Sequence, residues 1–334
     1  LLKRVGKSKG YLHVVAVIGN EWEKTPRFSA AGLDGTPRLR DLCPVKKQPL
    51  FDMPISSLPI SAIILTFNEE RQIADCIRSL SGVAGEVFVV DSGSTDETVP
   101  LAQQLGAQVV YHPFEDYSRQ RNWALENLPV RYEWVLHLDA DHRLTEALSH
   151  SLRRTFSRPI PPDVNGFLIS RRTIFLGKWI RYGGHYPVYH AVLFRRGKGF
   201  CERRRYDQHF CVEGKVLRLS GDVEDIVTES LFRFVERHNR WSSFEAAERL
   251  SATAGAMGVL KPSLWGTPQQ RRRYWKRCYE RLPLFIRPFL YFFVRYFLRL
   301  GFLDGRRGLI FHVLQGFWFR FLIDAKIYEQ RHSA

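Results

Sequence analysis

Two carboxylates one residue apart, Asp139 and Asp141 in the run EWVLHLDADHRL, are the side chains in this sequence best suited to chemistry. In extended backbone, residues i and i+2 project to the same side, so both acids can face one crevice at the end of an apolar segment. Such a pair is what Mg²⁺ or Mn²⁺ takes when most of its other ligands are waters and substrate phosphates. An ion held there offsets the charge of a diphosphate leaving group as its C–O bond breaks. Two further polar clusters follow apolar runs of the same kind: Thr66-Phe67-Asn68-Glu69-Glu70 after SAIIL, and Asp91-Ser92-Gly93-Ser94-Thr95-Asp96 after EVFVV. Singly, each has a plain structural use, since Asn, Ser and Thr cap helices and Asp ends strands in turns. Three in succession have little such excuse.

The elements that must position these residues alternate. SAIILTF reads as a strand, NEERQIADCIRSL as a helix with Ile73, Ile77 and Leu80 on one face, EVFVVD as a strand, and STDETVPLAQQLG as a helix. AQVVYH, SRQRNWALENL and EWVLHLDAD continue the alternation. This rhythm predicts an α/β fold with a doubly wound, mostly parallel sheet, and strands apolar nearly throughout are covered on both faces. In such a sheet ligands bind outside the carboxyl ends of the strands, where all three clusters fall. From about residue 164, GFLISRRTIFLG, HAVLFRR and GKVLRL suit mixed or antiparallel strands that complete the sheet. The sequence divides into a flexible basic N-terminal extension over 1–57, a catalytic domain over 58–230, and a C-terminal helical, amphipathic region over 231–334.

The 334 residues can bury a substantial core. Fifty Lys and Arg against 34 Asp and Glu give a net charge of +16, which favours anionic partners such as nucleic acid, acidic headgroups or phosphorylated substrates. No nucleic acid is expected, because the crevice is acidic and the basic residues concentrate at the two ends of the chain. A dinucleotide-binding oxidoreductase needs a Gly-rich turn after the first strand; Thr-Phe-Asn-Glu-Glu has no glycine and two acids that would repel pyrophosphate. Five scattered cysteines without Cys-x-x-Cys spacing fit a reducing compartment, and no signal peptide is read at the start. Residues 282–303, LPLFIRPFLYFFVRYFLRLGFL, are aromatic but cut by arginines and by Pro283 and Pro288. A spanning helix needs about 20 residues with few charges, so helices lying in the interface are expected. Arg277, Arg281, Arg287, Arg295 and Arg299 then fall within an arc of about 120°, directed at anionic headgroups. LIFHVLQGFWFRFLIDAKIYE repeats the theme. The expectation is peripheral attachment on the cytoplasmic side of a membrane.

SAIILTFNEE, VVDSGSTDET, Arg119-Gln120-Arg121-Asn122 and LDADHRL, in this order and spacing, resemble family-2 glycosyltransferases of the inverting GT-A type that build bacterial surface polysaccharide and lipopolysaccharide core. The resemblance spans about 60–145 and extends more weakly to about 250. It implies a UDP- or GDP-sugar donor, Mg²⁺ or Mn²⁺, and a lipid-linked or membrane-presented glycan acceptor. Thr66, Asn68, Glu69, Asp91, Arg119 and Asp139 would bind the nucleotide-sugar, and Asp139 and Asp141 the metal. Inverting transfer needs a general base for the acceptor hydroxyl, given by resemblance to Asp207 in Tyr206-Asp207-Gln208-His209, with Glu202 the alternative. His209 and His185 are candidate metal or phosphate contacts. Arg237-His238-Asn239-Arg240-Trp241 is similar to the Gln-x-x-Arg-Trp signature of processive synthases, with Arg in place of Gln. Arg240 could grip diphosphate and Trp241 stack on a sugar, or the stretch is a packed helix.

Overall fold

The first strand carries apolar side chains of both parities, and the two sets go to opposite faces. In β1 (Leu58–Thr66) Ile60, Ala62 and Ile64 pack with Ile73, Cys76 and Ile77, while Ile63 and Leu65 pack with Ala124 and Leu128. A strand buried on both sides must lie inside a sheet with helices on each face. The computed structural model describes residues 57–203, 208–228, 230–250, 262–266 and 268–332. The N-terminal extension and Asp207 fall outside these.

Helices α1 (Ile73–Ser79), α2 (Thr98–Gln104) and α3 (Tyr117–Asn127) cross between β1, β2 (Ala84–Asp91), β3 (Gln108–Tyr111) and β4 (Trp134–Asp139). The four strands are parallel in the order β3-β2-β1-β4. Their register sets Thr66 beside Asp91 and Leu65 beside Asp139, which brings the three polar strand ends to one rim. Helix α1 starts later than its sequence pattern predicts. Asn68 takes a left-handed conformation (φ 53°), and the Glu69 carbonyl then accepts the N–H groups of Gln72 and Ile73, so a turn precedes the helix.

The remainder is mixed, as expected. After β5 (His142–Leu144) and α4 (Glu146–Phe156) come β6 (Val164–Phe175), β7 (Lys178–Ile180), β8 (Val188–Arg195), the short pair β9 (Gly199–Cys201) and β10 (Phe210–Val212), and β11 (Lys215–Thr228). Strand β8 runs antiparallel between β4 and β6, β11 lies parallel to β6, and β5 closes the edge. Gly221 is required where β11 passes α4: with φ +91° its Cβ would stand 2.3 Å from the backbone nitrogen of Leu148.

The C-terminal helices are α5 (Leu231–Leu250), α6 (Pro268–Glu280), α7 (Ile286–Phe293), α8 (Gly305–Phe311) and α9 (Phe319–His332), with π turns at Val294–Leu298 and His312–Trp318. Pro288 sits in the first turn of α7, where its missing N–H is tolerated. These helices pack on the sheet: Phe234 and Phe311 meet Phe175 and Ile180. Among the described residues no helix is long and apolar enough to cross a membrane. The sequence-derived orientation of α7 and of the π turn that follows it needs correction. Arg287 is buried against Asp324, and Arg295 donates to the Gly183 carbonyl, so both point into the protein, while Phe289, Phe293 and Phe297 point out.

Candidate active site

The loops after β1 and β2 are knitted to each other. The Asp91 carboxylate accepts the N–H groups of Gly93 and Ser94 at 2.8 and 2.9 Å, a turn that Gly93 permits at φ 99°. The Ser94 hydroxyl accepts from Asn68 N at 2.8 Å, and Asn68 Oδ1 accepts from Thr95 N at 2.9 Å. Thr98 Oγ1 accepts from Glu69 N at 2.8 Å. Asn68 and Asp91 thus build one continuous floor, with Thr66 buried at its root. Glu69 lies above it, its carboxyl raised by burial against the pull of Arg237 and Arg233.

At the end of β4, Arg121 from α3 donates to Asp139 Oδ1 at 2.7 Å. Burial would raise the Asp139 carboxyl, but Arg121 and His142 outweigh it and hold it near a pKa of about 2. Asp141 behaves oppositely. Burial, the nearby Asp225, and Asp139 and Glu69 lift it well above the carboxylate range, with Arg237, 3.6 Å away, opposing them. His142 Nδ1 accepts the Asp139 N–H at 3.1 Å, which leaves the proton of the neutral ring on Nε2, 3.7 Å from Asp139 and 4.0 Å from Asp141. Burial and then Arg171 keep this ring neutral, with its pKa lowered to about 4.

The facing atoms of Asp139, Asp141 and His142 lie within 4.8 Å of one another. The two carboxylates fit a hard divalent cation, since a crowded group of acids is relieved by positive charge. His142 is tied to the Asp139 backbone through Nδ1 and turns its protonated Nε2 toward the two acids, beyond hydrogen-bond distance of either.

Comparison with known proteins decides the family. The lipopolysaccharide core biosynthesis glycosyltransferase LpsC of Rhizobium meliloti (strain 1021) is 30% identical over 296 residues, covering 84% of this chain and 95% of the relative. The family profile "Glycosyl transferase family 2" matches residues 61–209. The chain belongs to glycosyltransferase family 2. An uncharacterized glycosyltransferase of Rickettsia felis is 44% identical over 98 residues, 29% of this chain and 34% of that relative. Glucosyl-3-phosphoglycerate synthase from Mycobacterium tuberculosis, solved with Mn²⁺ and UDP, aligns over 35% of this chain and 44% of its own at 23% identity and a TM-score of 0.28, a local likeness only.

Around the acid pair of this family-2 transferase, the other candidate residues take different stations. Arg119 is exposed beside Glu115 and Asp116, whereas Arg121 reaches the crevice. Arg237, the residue replacing Gln in the Gln-x-x-Arg-Trp pattern, faces Asp141 and lies 5.0 Å over the Trp241 ring. Arg240 is exposed, and Trp241 packs beside Ala246 and Phe319. His209 is buried and stacked 6.1 Å from His190, outside the Asp139–Asp141–His142 group. His185 packs on Phe311 and His312. Glu202 is fully buried and gives both oxygens to Arg273, at 2.7 and 2.5 Å.

Proposed function

We propose that this transferase moves a sugar, with inversion, from a UDP- or GDP-sugar to a lipid-linked acceptor in lipopolysaccharide core assembly, at the cytoplasmic surface of a membrane. The observation that supports the reading is the Asp139–Asp141 pair at the crevice rim, with Arg121 holding Asp139 and His142 facing both acids. Asp139 and Asp141 would hold Mg²⁺ or Mn²⁺, which when bound supplies positive charge to the diphosphate as the glycosidic bond to it breaks.

The chain's own residues do the rest. Arg121 keeps Asp139 ionised and aimed. Arg237 stands at Asp141, a cation beside the acids where a diphosphate would lie. The knitted loops of Asn68 and Asp91 give the nucleotide a rigid floor. Proton removal from the acceptor hydroxyl is assigned to Asp207 by family resemblance. Glu202 is a poor base, because both of its oxygens are committed to Arg273. The LpsC relationship supports the lipopolysaccharide class, and the outward aromatic face of α7 supports membrane contact.

Thermal unfolding with UDP or GDP, each with Mn²⁺ or with EDTA, tests this. A bound ligand at 100 times its Kd stabilises by about 2.7 kcal/mol. One of the nucleotides is expected to raise Tm only when Mn²⁺ is present, and not in Asp141→Asn. An equal rise with EDTA or in that variant removes the metal assignment, and no rise with either nucleotide removes the donor class.

A further inference from the structure

Helix α4 carries Ser151, Arg154 and Thr155 on one face, at i, i+3 and i+4, and Arg158 follows just past its end. Strand β11 brings Arg218 and Ser220 alongside, and between the two elements lies a groove of about 410 Å³. Three arginines and three hydroxyls line it, and no carboxylate does. The neighbouring Arg153 has a structural task, since it donates to the Gly82 carbonyl at 3.2 Å. Arg154 and Arg158 have none of that kind: both are exposed, and neither forms an ion pair among the described residues. Arg218 is likewise without an ion pair there and lies 4.8 Å over the Tyr189 ring. Thr155 spends its hydroxyl proton on the Ser151 carbonyl. Ser220 Oγ donates to Ser151 Oγ at 3.2 Å, which leaves the Ser151 proton for a further acceptor.

The groove is separate from the acid pair. Thr145 N donates to the Asp222 carbonyl and Ser220 meets Ser151, so α4 runs antiparallel to β11 and away from Asp225, which stands opposite His142. At the rise of an α-helix Arg154 is about 12 Å along α4 from its first residue. The donor diphosphate beside Asp139 and Asp141 is therefore not the ligand of this groove. The end of α4 carries roughly half a negative charge from its dipole, and the three guanidiniums outweigh it. Cations drawn from a helix, the residue after it and a neighbouring strand suit an anion with oxygens on several sides, which a phosphate group is and a planar carboxylate is not.

We propose that this groove is a second anion site of the protein, in which Arg154, Arg158 and Arg218 hold a phosphate group. The site does not depend on the transferase reading. The full chain is kept in EDTA, so that no metal ion recruits phosphate to the acid pair. It is titrated with inorganic phosphate against chloride at matched ionic strength and followed by thermal unfolding. Phosphate is expected to raise Tm in wild type and in Arg271→Gln, which removes an exposed arginine of α6. In Arg154→Gln combined with Arg158→Gln, phosphate affinity should fall at least about tenfold, the loss of a hydrogen bond to a charged group. Both side chains are exposed, so the Tm of that variant without phosphate should match wild type; should it not, Arg158→Gln alone carries the same expectation.

An equal phosphate response in wild type and the double variant overturns the site. So does a matching loss in Arg271→Gln, or no response in wild type. Co-sedimentation with phosphatidylglycerol vesicles tells the sources of the phosphate apart. If the double variant loses sedimentation that wild type shows, the group held is a lipid headgroup. If both sediment alike while only wild type responds to inorganic phosphate, the site takes a soluble phosphate.

Discussion

Arg119 and Arg121 stand two residues apart on α3 and have different fates. Helical geometry separates them by about 200°: Arg119 turns to Glu115 and Asp116 in solvent, and Arg121 turns inward to Asp139. The sequence carried the signal that tells them apart, because Arg121 shares the i, i+3, i+7 face with Ala124 and Leu128, both buried. A cation on an apolar face needs an anion. His142 was less legible, since its role depends on a hydrogen bond from the Asp139 backbone that no residue pattern announces. The acids themselves were legible because period-two spacing at a strand end is a local property. Replacing Arg121 with Leu should leave Asp139 easier to protonate and poorly aimed. Groups that orient metal ligands typically contribute 10–100-fold in metal affinity, so the Mn²⁺ concentration for half-maximal turnover should rise by about that factor. A Mn²⁺ titration of activity reads this directly, and an unmoved midpoint would leave Arg121 a merely structural neighbour.

At the level of elements, the parallel half of the sheet was readable because each strand and crossover is contiguous in sequence, and each strand's burial on both faces is written in its own residues. The insertion of β8 between β4 and β6, and the return of β11 to β6, depend on pairings between distant segments, so local pattern could say only that these strands were mixed. The same distance hid the Glu202–Arg273 pair, whose members lie 71 residues apart and join the segment after β9 to α6. Both side chains are buried. Glu202→Gln would leave Arg273 as an uncompensated buried charge, a loss of about 3–5 kcal/mol, which should lower Tm on the order of 10 °C. Glu202→Gln combined with Arg273→Met removes the orphaned charge and should recover most of that loss. Thermal unfolding of the three proteins gives the answer. A single-variant shift of only a degree or two would mean that the pair is solvated and does not fasten α6 to the sheet.

Over the whole molecule, positive charge and exposed aromatic surface occupy the same helices, and two arginines of that stretch, Arg287 and Arg295, turn inward. The helical projection found the arginine arc from sequence and aimed it outward, because the groups that draw Arg287 and Arg295 inward, Asp324 and the Gly183 carbonyl, are 37 and 112 residues away. What remains outside is apolar: Ile286, Phe289, Phe293, Phe297 and Leu298 are each about half exposed or more, with Arg306 and Arg307 exposed on the neighbouring helix. A contiguous surface of this kind, rimmed by cations, suits the boundary between headgroups and acyl chains. Attraction by the rim is screened by salt, whereas insertion of the aromatics is not, so the aromatics should carry binding at high ionic strength. Phe293→Asp combined with Phe297→Asp should reduce partitioning onto phosphatidylglycerol vesicles at least about tenfold, given ~1.5–3 kcal/mol for full burial of one such side chain. Because Phe293 and Phe297 are 51% and 48% exposed, Tm should stay close to wild type. Co-sedimentation in low and high salt distinguishes the outcomes: binding that survives both substitutions, or that vanishes with salt in the unsubstituted protein, would show that the aromatic face is not the membrane contact.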